Sequence, residues 1–231
     1  MTAPSSRVSA AVRDALEEAL GLVFPTWCAG CGRPDVPLCA DCRDALTFRG
    51  HTRRVAGLEV VSAVAFEGAA ARAIRAFKED GRTGLARALG PLLATGVHRF
   101  GDAEIVPMPS SRAAMRRRGY PVAELLARRG GLRIAPLLVR RGTPDDQRAL
   151  GREARLRNVE GTFRARRADG RTVVLVDDVV TTGASLREAA HTLEEAGAVV
   201  LGAATVATTL RSGVAERIDP GRTGDTGRGD R

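Results

Sequence analysis

The chain is poor in lysine, in aromatic residues and in long apolar runs, and each shortage closes off a class of function. Lys78 is the single lysine in a set of 36 basic residues, and all the others are arginine. Aromatic residues make up 3% of the chain, with Trp27 and Tyr120 its one tryptophan and one tyrosine. A stacking surface for single-stranded bases is therefore not visible. No stretch reaches the ~18–20 apolar residues that span a bilayer; the most apolar segment, 196–210, reads as a buried strand. Arg7, Arg13, Asp14, Glu17 and Glu18 interrupt residues 1–24, which leaves no apolar h-region for a secretory signal. The expected location is cytoplasmic, without membrane insertion. Cysteine occurs only between positions 28 and 42. In a reducing compartment such clustering points to a metal more than to disulfides.

What is present bounds the answer further. A chain of 231 residues with 44% hydrophobic content holds one α/β domain of ordinary size plus a small module. The formal charge is +9, which suits an anionic ligand, either a phosphorylated metabolite or a nucleic-acid backbone. The abundance of Ala, Gly and Arg also matches a GC-rich coding sequence, which accounts for part of that charge. Apolar spacing predicts helices over 8–22, 69–77, 85–97, 122–129 and 186–196. Strands are predicted over 58–66, 134–139, 172–176 and 199–206, with a short apolar run at 103–106. Strands alternating with helices indicate a mainly parallel sheet flanked by helices. Residues 140–157 are polar and charged, and 219–231 lack apolar residues and read as a disordered tail. The expected division is a helix and metal module over 1–50, an α/β domain over 55–212 and a tail over 213–231.

The sharpest chemistry lies in Val173-Val174-Leu175-Val176-Asp177-Asp178-Val179-Val180-Thr181-Thr182-Gly183-Ala184-Ser185. Four apolar residues make a central strand. Two adjacent carboxylates follow at its carboxyl end, where open α/β sheets bind ligands. Gly183 allows close backbone approach, and the helix that follows the turn offers free N–H groups. Thr181, Thr182 and Ser185 add hydroxyls. The pattern fits a phosphomonoester held by the loop and sugar hydroxyls held by the carboxylates. Two adjacent like charges are unfavourable unless a polyol or cation offsets them. A helix cap at Thr182 or Ser185 is the plainer reading, but a cap does not require the acid pair.

This string resembles the phosphoribosyl pyrophosphate signature of type I phosphoribosyltransferases. The resemblance implies that Asp177 and Asp178 hold ribose and that Val180, Thr181, Thr182, Gly183, Ala184 and Ser185 cradle the 5′-phosphate. It also implies displacement of pyrophosphate from C1′ by a nitrogenous nucleophile, with Asp178 stabilising the developing positive charge. Mg²⁺ would bridge pyrophosphate and ribose oxygens.

Cys28-x-x-Cys31 and Cys39-x-x-Cys42 form two knuckle-like pairs suited to one tetrahedral, structural Zn²⁺. His51 is read as a surface histidine, because four cysteines complete such a site. The cysteine module ahead of the phosphoribosyltransferase segment resembles the ComF family of bacteria, named for competence for DNA uptake. Further matches are Phe77-Lys78-x-x-Gly81-Arg82, Val106-Pro107-Met108-Pro109 with Arg112 and Arg118-Gly119-Tyr120, and Gln147, Arg155 and Asn158-Val159. The chain departs from the family pattern at Pro121-Val122, where Asn-Gln is usual. The resemblance places the pyrophosphate near residues 107–112, with Arg112 among the ligand-binding residues, and puts 147–158 on a hood over the site. Lys78 is singled out as a compact charge that arginine does not mimic. The implied ligand is phosphoribosyl pyrophosphate or a related phosphorylated ribose. The competing reading is a competence accessory whose partner is single-stranded DNA or a DNA-uptake helicase.

Overall fold

A computed structural model describes residues 26–141 and 161–210 and the backbone of 217–218. The expected helix at 8–22, the run containing Gln147, Arg155 and Asn158-Val159, and most of the expected tail lie outside the described residues. In chain order the elements are α1 (Ala40–Asp44), β1 (His51–Val55), β2 (Leu58–Ala65), α2 (Gly68–Glu79), α3 (Ala86–Val97), β3 (Glu104–Pro107), α4 (Arg112–Arg118), α5 (Val122–Arg129), β4 (Leu138–Arg140), β5 (Phe163–Ala165), β6 (Thr172–Val180), α6 (Ala184–Glu195), β7 (Val199–Thr208) and β8 (Arg217–Ile218). Short 3-10 turns precede and follow α3.

The main sheet runs β3-β6-β7-β2-β1-β8. Its first four strands are mutually parallel, and β1 pairs antiparallel with both β2 and β8. The expected α/β class, a mainly parallel sheet flanked by helices, is thus what forms. β6 is apolar on both faces because both are covered. Val174 and Val176 join the cluster that contains Ile74, Leu89, Leu93 and Leu126 from α2, α3 and α5. Val173 and Leu175 join Leu186, Ala189 and Leu193 from α6, together with Leu138 and Phe163 from the separate β4–β5 ribbon.

Three elements differ from expectation, each for a local reason. β6 continues past Val176 to Val180, because Asp177, Val179 and Val180 still pair with Thr205, Ala207 and Thr208 of β7. The acid pair therefore sits inside the strand. The run at 134–139 contains Pro136, which has no N–H to donate; Ile134 makes an isolated bridge to Ile105, and the strand begins at Leu138. β1 was not anticipated, because His-Thr-Arg-Arg-Val lacks an apolar alternation. It joins β2 through Ala56 and Gly57, both at positive φ (48° and 92°), as a two-residue primed hairpin turn requires. Alanine there hides the usual Asn-Gly or Asp-Gly signal.

The cysteine module does not have a core of its own. Cys28, Leu38, Cys39, Cys42 and Leu46 belong to the same buried cluster as Ile74 and Phe77 of α2. Arg72 donates from Nε to the Gly30 carbonyl. Arg82 donates to the carbonyls of Trp27 (2.7 Å) and Pro37 (3.1 Å). These two arginines fasten the module to the start and end of α2. Among the described residues no helix is long and apolar enough to cross a membrane.

Candidate active site

The site begins where β3 stops. Pro107 is the last β3 residue and pairs with Val176, so the next two residues of β6, Asp177 and Asp178, have no β3 residue beside them. The chain after β3 turns away through Met108–Ser111. It leaves a cleft lined by Lys78, Pro109, Ser111, Arg118, Arg140, Asp177, Asp178 and Ser185, among others. The cleft opens at the carboxyl ends of the parallel strands, the ligand-binding edge of an open α/β sheet.

Alternation along β6 sends the two carboxylates to opposite faces. Asp178 shares the face of Val174 and Val176 and meets Lys78 from the last turn of α2. Its Oδ2 lies 2.5 Å from Lys78 Nζ. Asp178 is buried, at 5% exposure, whereas the lysine side chain is 34% exposed. The lone lysine of the chain is thus the partly exposed cation of an ion pair whose carboxylate is buried. Asp177 is half-buried and accepts a hydrogen bond through Oδ1 from the Asp178 N–H at 2.9 Å. Burial, and after it the charge of Asp178, hold the Asp177 carboxyl well above the ordinary carboxylate range.

Tyr120 fixes the end of α2 that carries Lys78. Its hydroxyl donates to the Phe77 carbonyl, and the two rings lie 5.6 Å apart. Arg118, two residues earlier, lines the cleft with a buried Nε that has no hydrogen-bond partner. Arg140 closes the far wall, its guanidinium 5.3 Å from the centre of the Phe163 ring.

The loop 181–183 leads into the twelve-residue α6. Gly183 has φ +78°, and a Cβ there would fall 2.5 Å from Val55 Cγ1. Glycine is thus required twice over, by the left-handed backbone and by contact with β1. Arg53, also from β1, donates to the Thr181 carbonyl at 2.5 Å. Thr182 Oγ1 accepts from Ala184 N at 3.3 Å, but the N-cap of α6 is Gly183, without a side-chain cap, so neither Thr182 nor Ser185 caps the helix as the plainer reading expected. Val180 is buried, while Thr181, Thr182 and Ser185 are exposed.

The candidate residues therefore divide. Asp177, Asp178, Lys78 and Ser185 line one cleft. Thr181, Thr182, Gly183 and Ala184 form the turn beside Ser185 and are not among the lining residues. Arg112 is exposed and lines the grooves outside the cleft. Arg118 was noted only within the Arg118-Gly119-Tyr120 match and Arg140 only within the polar run 140–157; both line the cleft. Arg118 is half-buried and Arg140 exposed at the rim, and their meeting depends on the α4–α5 turn and on the β4–β5 pairing, which brings together segments distant in the chain.

The four cysteine sulfurs lie within 4.8 Å of one another and could hold a metal ion. Cys31 and Cys39 sulfurs are 3.6 Å apart. A tetrahedral zinc with bonds of ~2.3 Å sets sulfurs ~3.8 Å apart, so the spacing fits. Burial raises the Cys28 thiol, but backbone N–H groups of Cys39, Cys31 and Gly30 outweigh it and bring it down to about 6. Burial pushes Cys42 up. His51 is not part of this group, and the expectation of a surface histidine is corrected: it is 7% exposed, held between β2 and β8 at the start of β1.

Residues 113–223 match the phosphoribosyl transferase domain family. That match covers β6, the acid pair and the loop into α6, so the chain carries a phosphoribosyltransferase-type domain. Over 207 residues it is 28% identical to Competence protein ComFC of Bacillus subtilis (strain 168), spanning 84% of this chain and 80% of that protein. A shorter match, 47% identical over 64 residues, is to orotate phosphoribosyltransferase of Novosphingobium aromaticivorans and spans 26% of this chain and 33% of that protein. Among solved structures, Mycobacterium tuberculosis H37Rv orotate phosphoribosyltransferase in complex with 5-phospho-alpha-D-ribosyl 1-diphosphate aligns at 18% identity and a TM-score of 0.37, over 60% of this chain and 73% of that one. The chain is a ComF-like protein with a type I phosphoribosyltransferase domain.

Proposed function

We propose that the protein binds 5-phosphoribosyl 1-pyrophosphate in the cleft at Asp177 and Asp178 and transfers its phosphoribosyl group to a nitrogenous acceptor. The observation that carries this reading is the acid pair, placed at the open carboxyl end of β6 beside the start of α6, with Lys78, Arg118 and Arg140 around it. The Asp177 and Asp178 carboxylates accept the ribose hydroxyls. N–H groups at the start of α6, with Thr181, Thr182 and Ser185, receive the 5′-phosphate. Arg118, whose Nε is buried and unpartnered, faces the pyrophosphate, because a guanidinium binds phosphate oxygens in pairs. The Asp178 carboxylate stabilises positive charge developing at C1′. The pair also offers hard oxygen donors, which suit Mg²⁺; that ion neutralises charge on the departing pyrophosphate when bound.

The module at Cys28, Cys31, Cys39 and Cys42 is a structural zinc site in this reading. The proposed division is a zinc-binding region over 1–50, a phosphoribosyltransferase-like domain over 55–212 and a tail over 213–231, of which Arg217–Ile218 pairs with β1. A second reading, a non-catalytic competence accessory that binds single-stranded DNA or a helicase, draws on the likeness to the competence protein and on the +9 charge.

Thermal denaturation with Mg²⁺–phosphoribosyl pyrophosphate tests the reading. Ligand at 100 times its Kd stabilises the fold by about 2.7 kcal/mol, a rise of roughly 5–11 °C for a chain of this size. The rise should vanish in the Asp177→Asn/Asp178→Asn variant. An equal rise in that variant, or none in the wild type, refutes the site. Pyrophosphate release with an amine acceptor separates transfer from binding alone.

A further inference from the structure

The small β4–β5 ribbon has two faces with different chemistry. Register pairs Arg140 with Phe163 and Leu138 with Ala165; Leu138 and Phe163 are buried, and Arg140 and Phe163 line the acid-pair cleft. The opposite face carries Val139 across from Arg164, with Arg166 two residues further along. Arg141 follows on that same alternation, its N–H bonded to the Thr162 carbonyl at 2.8 Å. Facing this outer side is α4, where Arg112 and Arg116 stand four residues apart on one side of the helix. Together they enclose two adjoining grooves that share Arg112, Arg140 and Arg141 and also carry Arg116, Arg164 and Arg166. One of these grooves shares Pro109, Ser110, Ser111 and Arg140 with the cleft. Among the described residues none of these six arginines makes an ion pair. Six like charges around one depression oppose each other unless an anion sits among them.

We propose that this arginine groove is a second anion site, separate from the ribose-phosphate cleft, and that it holds a phosphate group belonging to the acceptor. The acceptor is then a small phosphorylated amine or nucleotide. Its phosphate lies on Arg112, Arg116, Arg141, Arg164 and Arg166, and its nitrogen reaches inward past Arg140. This rests on the phosphoribosyl-transfer reading for the role of acceptor; the anion site itself does not. Guanidinium pairs match phosphate oxygens. A nucleic-acid strand is the less suitable occupant, because Phe163, the aromatic ring on the ribbon, is buried and offers no stacking face.

The test uses the full zinc-loaded chain, alone and saturated with phosphoribosyl pyrophosphate to fill the cleft, titrated with inorganic triphosphate at about 150 mM salt. We expect one site that persists in the saturated wild type, and at least tenfold weaker binding there in Arg164→Ala/Arg166→Ala. Those two arginines project from a ribbon whose core face is untouched, and far-ultraviolet circular dichroism checks that the variant folds. Equal binding by the double variant, or loss of the site when phosphoribosyl pyrophosphate fills the cleft, overturns the second site. Tighter binding of a thymidine 20-mer than of triphosphate, lost in the same double variant, overturns the small-ligand assignment in favour of nucleic acid. Phosphoribosyl pyrophosphate titrated in parallel keeps the readings apart. If it does not bind while triphosphate binds through the arginines, the transfer reading and the acceptor assignment fall, and the anion site stands.

Discussion

Replacing Lys78 by alanine should cost more stability than its partly exposed position in the last turn of α2 would suggest. The lysine Nζ lies 2.5 Å from Asp178 Oδ2, and that aspartate side chain is only 6% exposed. Removing one partner of a buried pair costs about 3–5 kcal/mol, chiefly because the other charge is left desolvated and uncompensated. Lys78 itself is 34% exposed, so water can partly replace it, and we take the low end, about 3 kcal/mol. For a chain of this size that is a fall in Tm of roughly 6–12 °C. Asp178→Asn should recover much of the loss when added to Lys78→Ala, because no charge is then stranded. Urea denaturation of wild type, both single variants and the double variant gives the coupling energy directly. A loss below about 0.5 kcal/mol in Lys78→Ala, or strictly additive effects, would show that the pair does not form in solution. Conversion to Lys78→Arg should also weaken ligand binding, since a guanidinium does not reproduce a compact ammonium.

Three further outcomes follow from the same geometry. Gly183→Ala adds a left-handed alanine and a Cβ 2.5 Å from Val55 Cγ1; together these should destabilise by about 2–4 kcal/mol and weaken binding of ribose 5-phosphate, and a variant as stable as wild type contradicts the placement of β1 against the loop. Gly30→Ala would drive a Cβ to 2.5 Å from Cys42 Sγ, so its zinc content by atomic absorption should fall from one per chain toward none; full occupancy would argue against a four-sulfur site of this shape. The pH dependence has a definite sign. Asp177 titrates well above its unfolded value near 3.8, so its protonated form favours the folded state. Its contribution is complete below about pH 4 and is lost as pH rises through the folded value. Ligand-free Asp177→Asn should therefore gain stability over wild type between pH 4 and pH 8 in denaturant titrations; a gap that narrows with pH contradicts the burial of this carboxylate.

The central strand and the acid pair were legible because the information is local. Val173 to Val176 is apolar throughout, and a strand covered on both faces needs nothing more. The helix at 122–129 was legible for the same reason, since its apolar residues recur at helical spacing. What escaped reading depends on residues far apart in the chain. Lys78 drew notice as the one lysine, yet its partner lies exactly 100 positions on, and nothing local names it. Arg82 was read only as part of a motif shared with the family, and its guanidinium holds the Trp27 and Pro37 carbonyls of the cysteine module. Arg112 was placed at the ligand from motif position, but the turn of α4 points it to the outer groove and brings Arg118 to the cleft instead. A run of arginines shows no difference between those facing inward and those facing water until the helix that carries them is placed.

Calorimetric titration of Mg²⁺–phosphoribosyl pyrophosphate into the zinc-loaded wild type and Asp178→Asn tests the central claim most directly, with zinc counted in the same samples. Saturable micromolar binding by the wild type, lost in Asp178→Asn at equal zinc content, is the result expected for a ribose-phosphate site built on the acid pair. A folded, zinc-loaded wild type that takes up none of the ligand, or an Asp178→Asn variant that binds it equally well, would contradict it.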